Sequence, residues 1–165
     1  SLTLRYEIAI QGAVRLFASL SPLQETALPP PCFGLCLNPA RTCRDISWYG
    51  KGPARSLCRL PGTGATGHYE QALADLARPG RGPGAFKDVR RLTLRDDSGV
   101  GLAITSDHHF AFDVAAAPDL IFGAGLHERS SDPSRLVLQI LHQSSLSCRP
   151  MAEPLKMILD IRPVV

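Results

Sequence analysis

Ile46-Ser47-Trp48-Tyr49-Gly50-Lys51-Gly52-Pro53 holds the single Trp of the chain, a Tyr beside it, and two glycines ahead of a proline. Ile46 and Trp48 alternate with Ser47, the period of a strand with one buried face. Gly50 and Gly52 allow positive φ, and Pro53 cannot donate to a ladder. The stretch therefore predicts a strand that carries an aromatic anchor into a tight turn, with Trp48 in the core. On local physics alone the turn belongs to a hairpin or to a crossover.

Working outward, the same alternation recurs. Leu4, Tyr6, Ile8 and Ile10 alternate with Arg5, Glu7 and Ala9, and Val14, Leu16, Ala18 and Leu20 alternate again beyond Gln11-Gly12. Together they predict a hairpin. Further strands are expected over Phe33–Leu37, Arg44–Tyr49, Val89–Leu94, Val100–Ile104, Phe110–Val114, Leu136–Ile140 and Leu155–Ile161. Asp96-Asp97-Ser98-Gly99 marks the turn of a second hairpin. His68–Ala77, with Tyr69, Leu73 and Leu76 at helical spacing, is expected as one short helix, and Pro118–Leu126 as the start of another. Pro29-Pro30-Pro31 reads as a stiff connector. About nine strands joined at short intervals make this an all-β chain, an antiparallel β-sandwich.

Composition agrees. The 165 residues suit one domain, 1–165, long enough to bury a core. Gly and Pro, 14 each, exceed what helices tolerate and fit many turns. A net charge of only +3, with the basic residues scattered, argues against nucleic acid as a partner. No apolar run reaches the length of a membrane span, and the N-terminus lacks a signal-peptide pattern, so a cytoplasmic location is expected. The five Cys form no C-x-x-C pair; free buried thiols are expected, ahead of a metal site from Cys32, Cys36 and a His.

Chemistry-bearing residues are sparse. Glycoside cleavage needs two carboxylates facing one bond, and no pair of acids has a spacing that compels this. Asp96 and Asp97 read as a solvated hairpin tip. Asp107-His108-His109 lies beside a strand, which puts its two His on opposite sides. His127-Glu128 reads as a surface pair, and His142, after an apolar strand, as structural. Gly62, Gly64 and Gly67 have the G-x-G-x-x-G spacing, but no apolar strand feeds them. A binding, structural or assembly role is favoured over catalysis.

The segment Trp48-Tyr49-Gly50-Lys51-Gly52-Pro53 resembles the W-Y-G-x-G-P signature in the C-terminal small-chain domain of bacterial-type β-galactosidases, members of glycoside hydrolase family two. Other segments follow that family's order. Pro31–Leu35 resembles its P-R-I-G-L, Asp88–Leu92 its d-V-R-w-l, and Gly99–Leu102 its G-x-G-L. Phe110–Val114 resembles its F-x-F-s strand, Leu126-His127-Glu128 its H-x-x-e-L, and Ser147–Pro150 its s-C-G-P or s-W-x-P step. The resemblance implies a supersandwich of the galactose mutarotase kind, with one or more N-terminal strands of the family's domain missing. It implies a non-catalytic domain that packs on a β-galactosidase's catalytic barrel, in cis or as a separate large chain, within an oligomer. The substrate would be a terminal β-D-galactoside such as lactose. The family's catalytic glutamates and its magnesium and sodium ligands belong to the barrel, so no catalytic residue and no cofactor is expected in this chain. Cys148 stands where some members place a sugar-stacking Trp. With Arg149 beside it, it is the candidate substrate-binding position. The alternative is a stand-alone carbohydrate-binding or assembly module; an aldose epimerase using His109 or His127 is a third reading.

Overall fold

The computed structural model describes residues 1–22, 33–54, 64–76, 85–116, 136–142 and 153–165. Among these residues the fold is all-β and antiparallel. Its strands are β1 (Leu2–Ile8), β2 (Val14–Leu20), β3 (Gly34–Leu37), β4 (Cys43–Gly52), β5 (Ala65–Ala72), β6 (Phe86–Asp96), β7 (Gly101–Ala116), β8 (Leu136–His142) and β9 (Leu155–Val164), with one turn of helix, α1 (Leu73–Leu76), after β5. The ladder runs β1-β2-β9-β7-β6-β4-β5, and a branch leaves β7 through β8 to β3.

The branch arises because β7 is long enough to serve two neighbours on one edge. Gly101–Ser106 pairs with β9, and Phe110–Ala116 pairs with β8. The two arms, β1-β2-β9 and β3-β8, face each other across apolar side chains. Leu16 and Ala18 of β2 and Met157 and Leu159 of β9 share one core cluster with Leu138 and Ile140 of β8, and Phe33, Leu35 and Leu37 pack against it. This is the arrangement of a sandwich, in which each strand buries one face.

Trp48 sits at the middle of the core, 2 % exposed. Its ring meets Tyr69 at 5.4 Å, Phe86 at 4.6 Å and Phe112 at 5.4 Å between centroids. Its Nε1–H donates to the Lys51 carbonyl at 3.2 Å, so the indole's polar atom is satisfied where its body is buried.

Four expectations need correction. The stretch after Trp48 is not a tight turn: β4 continues through Gly52, and a cis Gly52-Pro53 bond follows. The glycines answer a different need. β6 bulges between Phe86 and Val89, with Asp88 at φ +54°, and this presses its backbone on β4. A Cβ on Gly50 would stand 2.8 Å from the Val89 Cα, and one on Gly52 would stand 2.9 Å from the Tyr69 ring. Second, His68–Ala72 is strand, not helix; only Leu73–Leu76 is helical. Pairing with β4 across Trp48–Tyr69 overrides a helical composition. Third, Val100–Ile104 and Phe110–Val114 are not separate strands but parts of β7. The first hairpin also turns earlier than its alternation implies: β1 stops at Ile8, and the Ala9 and Gly12 amides close the turn. Pro29–Pro31 and the expected helix at Pro118–Leu126 lie outside the described residues.

Candidate functional site

A concavity lined by titratable side chains opens where β7 passes from one arm to the other. β6 supplies Val89 and Arg91 as partners of Phe110 and Thr105, so the single residue Arg90 stands against Ser106–His109. A bulge of this kind re-aims side chains out of the regular ladder. It turns Asp107, His108 and His109 toward a cleft of about 850 Å³ whose other walls are His142 at the end of β8 and Glu153, Pro154, Leu155 and Lys156 at the start of β9.

Each group on the bulge has a fixed partner. The Arg15 guanidinium donates to Asp107 Oδ2 at 2.9 Å and lies 3.8 Å from Asp160. Ser106 Oγ donates to the Ile158 carbonyl at 2.6 Å, ties β9 to β7, and accepts from the His108 amide at 3.3 Å. Arg90 Nε donates to His109 Nε2 at 2.9 Å. In that bond His109 Nε2 is the acceptor. Arg90 also lies over the Tyr49 ring at 5.3 Å, and Tyr49 meets His68 at 4.7 Å, so a row of side chains crosses the outer face of β5, β4 and β6 to the cleft.

His142 is half-buried, its ring 6.1 Å from Phe33, and its amide donates to the Phe33 carbonyl at 2.7 Å. Burial holds its imidazole below the usual histidine range. The Lys156 backbone opposes that shift, and His108 adds to it. The cleft thus brings the imidazoles of His108, His109 and His142 together with the carboxyl groups of Asp107 and Glu153 and the Lys156 side-chain nitrogen. That set suits hydrogen bonding to a polyhydroxyl ligand.

Asp107-His108-His109 lies within a strand rather than beside one, and its bulge brings both His to the same cleft. His142, read as structural, also lines it; Glu153 and Lys156 carried no sequence signal of their own. Asp107 and Glu153 share the cleft, but Asp107 is engaged by Arg15. Among the described residues no three His, Cys, Asp or Glu side chains are grouped to hold a metal ion. Cys36 is exposed and Cys43 half-buried, both as free thiols, so burial is the rule for neither. At Asp96 the tip is solvated as expected, yet Oδ1 accepts from the Ser98 hydroxyl and from the Ser98 and Val100 amides. The Ser98 hydroxyl is the largest of the bonds that hold this carboxyl below its usual range.

Cys148 and Arg149 lie outside the described residues, as do Cys32, His127 and Glu128. The described residues nearest to Cys148 and Arg149 on either side in sequence, His142 and Glu153, both line the cleft. No helix among the described residues is long and apolar enough to cross a membrane. A scan against protein-family models and a comparison with curated proteins both find no match for the chain.

Proposed function

We propose that this chain is the C-terminal small-chain domain of a cytoplasmic β-galactosidase acting on terminal β-D-galactosides such as lactose. It packs on the catalytic barrel, as part of an oligomer, and helps to shape the galactose pocket. The observation that carries the reading is the ordered run of segments around Trp48-Tyr49-Gly50-Lys51-Gly52-Pro53, which resembles the family's along nearly the whole chain. The cleft supports it from another side. Residues 143–152 hold Cys148 and Arg149, the proposed sugar-side positions, and join two cleft residues, His142 and Glu153. The supersandwich topology belongs to the same proposal, as do the magnesium and sodium ions, which it assigns to the barrel. Cleavage by paired carboxylates also belongs to the barrel.

The test is the native polypeptide. An antibody to this segment, used on extracts of the source cells, is expected to detect a chain several times longer than 165 residues. The immunoprecipitate is expected to hydrolyse a chromogenic β-galactoside. A band at the size of this chain, with no hydrolase activity and no co-precipitating larger chain, overturns the proposal in favour of a stand-alone module.

A further inference from the structure

Strand β1 lies at one end of the ladder and pairs, among the described residues, with β2 alone. Its apolar face is open: Leu4 is 50 % and Ile8 77 % exposed, and Leu2 and Tyr6 are similarly open. A long, flat, apolar edge is a template for another strand. The sequence of this edge says which strand fits.

The backbone bonds to β2 settle which groups remain. Ser1 and Ser21 exchange both bonds at 2.8 Å, and the Ala9 amide donates to the Ala13 carbonyl. In an antiparallel ladder the bonded pairs alternate, so the odd residues of β1 bond to β2. The N–H and C=O groups of Leu2, Leu4, Tyr6 and Ile8 point to the open edge. A second strand must therefore present its own outward groups to these even positions.

A second copy of β1, run antiparallel, does so in registers that place even residues opposite even. Only the charges distinguish those registers. Centred on Arg5, the pairing puts Arg5 opposite Arg5. Centred on Tyr6, it puts Leu4 opposite Ile8, Arg5 opposite Glu7 and Tyr6 opposite Tyr6. Both Arg–Glu pairs then fall at the non-hydrogen-bonded positions, where facing side chains come closest. Arg5 and Glu7 already meet at 3.4 Å within one strand, so these side chains reach their neighbours. The apolar residues of both copies lie on one face. That face continues into the groove of about 340 Å³ between β1-β2 and β3, lined by Leu2, Leu4, Tyr6, Phe33 and Leu35 among others.

We infer that this chain forms a two-fold symmetric dimer by antiparallel pairing of β1 with β1 about Tyr6, in a register set by reciprocal Arg5–Glu7 pairs. The interface is isologous, and it joins two sheets into one continuous sheet. The inference is independent of any reading of the cleft, since neither sugar nor hydrolysis enters it.

The test is sedimentation equilibrium of the 165-residue chain with charge reversals. Arg5→Glu places Glu opposite Glu at both symmetric positions, and Glu7→Arg places Arg opposite Arg. Each is expected to weaken the dimer by roughly tenfold, because repulsion replaces attraction twice. An equimolar mixture of the two single variants is expected to restore association as a heterodimer, because every facing pair is then opposite in sign. Hydrogen exchange gives a second readout that needs no variant. The Leu4, Tyr6 and Ile8 amides should gain protection as protein concentration rises. A wild-type chain that stays monomeric with concentration-independent exchange overturns the inference. So does a dimer indifferent to both reversals, and so do single variants that fail to associate with each other.

Discussion

Gly50 and His142 are single residues whose roles follow from what stands beside them. Gly50 is fixed by the β6 bulge: an added Cβ meets the Val89 Cα at 2.8 Å, Val89 Cγ2 at 3.0 Å and the Asp88 carbonyl oxygen at 3.1 Å. Two of these contacts are backbone, which side-chain rotation does not relieve. Gly50→Ala should therefore destabilise the fold by about 1–3 kcal/mol, the range for overpacking a tight site. Urea denaturation followed by far-UV circular dichroism checks it, and an unchanged midpoint would mean the bulge is free to move. His142 makes the pH-sensitive case. Its folded value lies below its ordinary 6.5 because burial disfavours the cation. Above 6.5 both states are neutral, and the folded state keeps its full advantage. As pH falls through 6.5 the unfolded chain takes up the proton first, so stability drops until pH passes the folded value. His142→Gln should flatten that part of the stability–pH curve relative to wild type. Chemical denaturation of both proteins from pH 8 to 5 measures the difference, and parallel curves would show that another group carries the pH dependence.

At the scale of elements, β4, β6 and β7 carry the molecule. Their facing residues Ile46, Trp48, Leu92, Leu94 and Ile104 are all buried, and β6 and β7 are flanked by strands on both edges. Local opening is hardest where apolar burial is densest. Amides in the β4–β6–β7 ladders should exchange slowest, and those of β5 and the start of β3 much faster; mass-spectrometric hydrogen exchange reads this directly. Equal protection in β5 and β6 would contradict it. The central strands are also the ones the sequence announces, because burying one face writes an alternation that survives in Leu92–Leu94 and Phe110–Phe112–Val114. β5 was illegible for the opposite reason. At this edge of the ladder Tyr69 is its one large apolar residue, half-buried on Trp48, and the rest of its inner face is Gly67 and Gln71. A strand with so little to bury leaves no period-two signal, and the Ala, Leu, Gln and Glu around it read as helix. The cleft was half legible. Asp107-His108-His109 stands out as a run of titratable groups, but its convergence with His142 and Glu153 depends on a bulge and a branch point. Those come from register, which no local pattern encodes.

For the whole molecule, the branched sheet raises the question of whether its two arms fold as one unit or two. The main core cluster answers it: residues of β2, β4, β6, β7, β8 and β9 and both leucines of α1 belong to the same contiguous group. Strand β7 pairs with each arm along its own length, so neither arm keeps its inner face covered if the other opens. Small domains with one such core unfold in a single cooperative step. Trp48, the sole Trp and the contact of Tyr69, Phe86 and Phe112, reports on the centre through fluorescence, while far-UV circular dichroism reports on all strands. The two urea transitions should coincide in midpoint and slope, with a slope of about 1–3 kcal/mol/M. The protein concentration is best kept low, so that any association through β1 does not add its own dependence. Two separated transitions, with Trp48 fluorescence changing at the higher urea concentration, would mean that an outer arm detaches while the β4–β6–β7 centre stays folded. That result would make β7's passage between the arms a hinge rather than a joint.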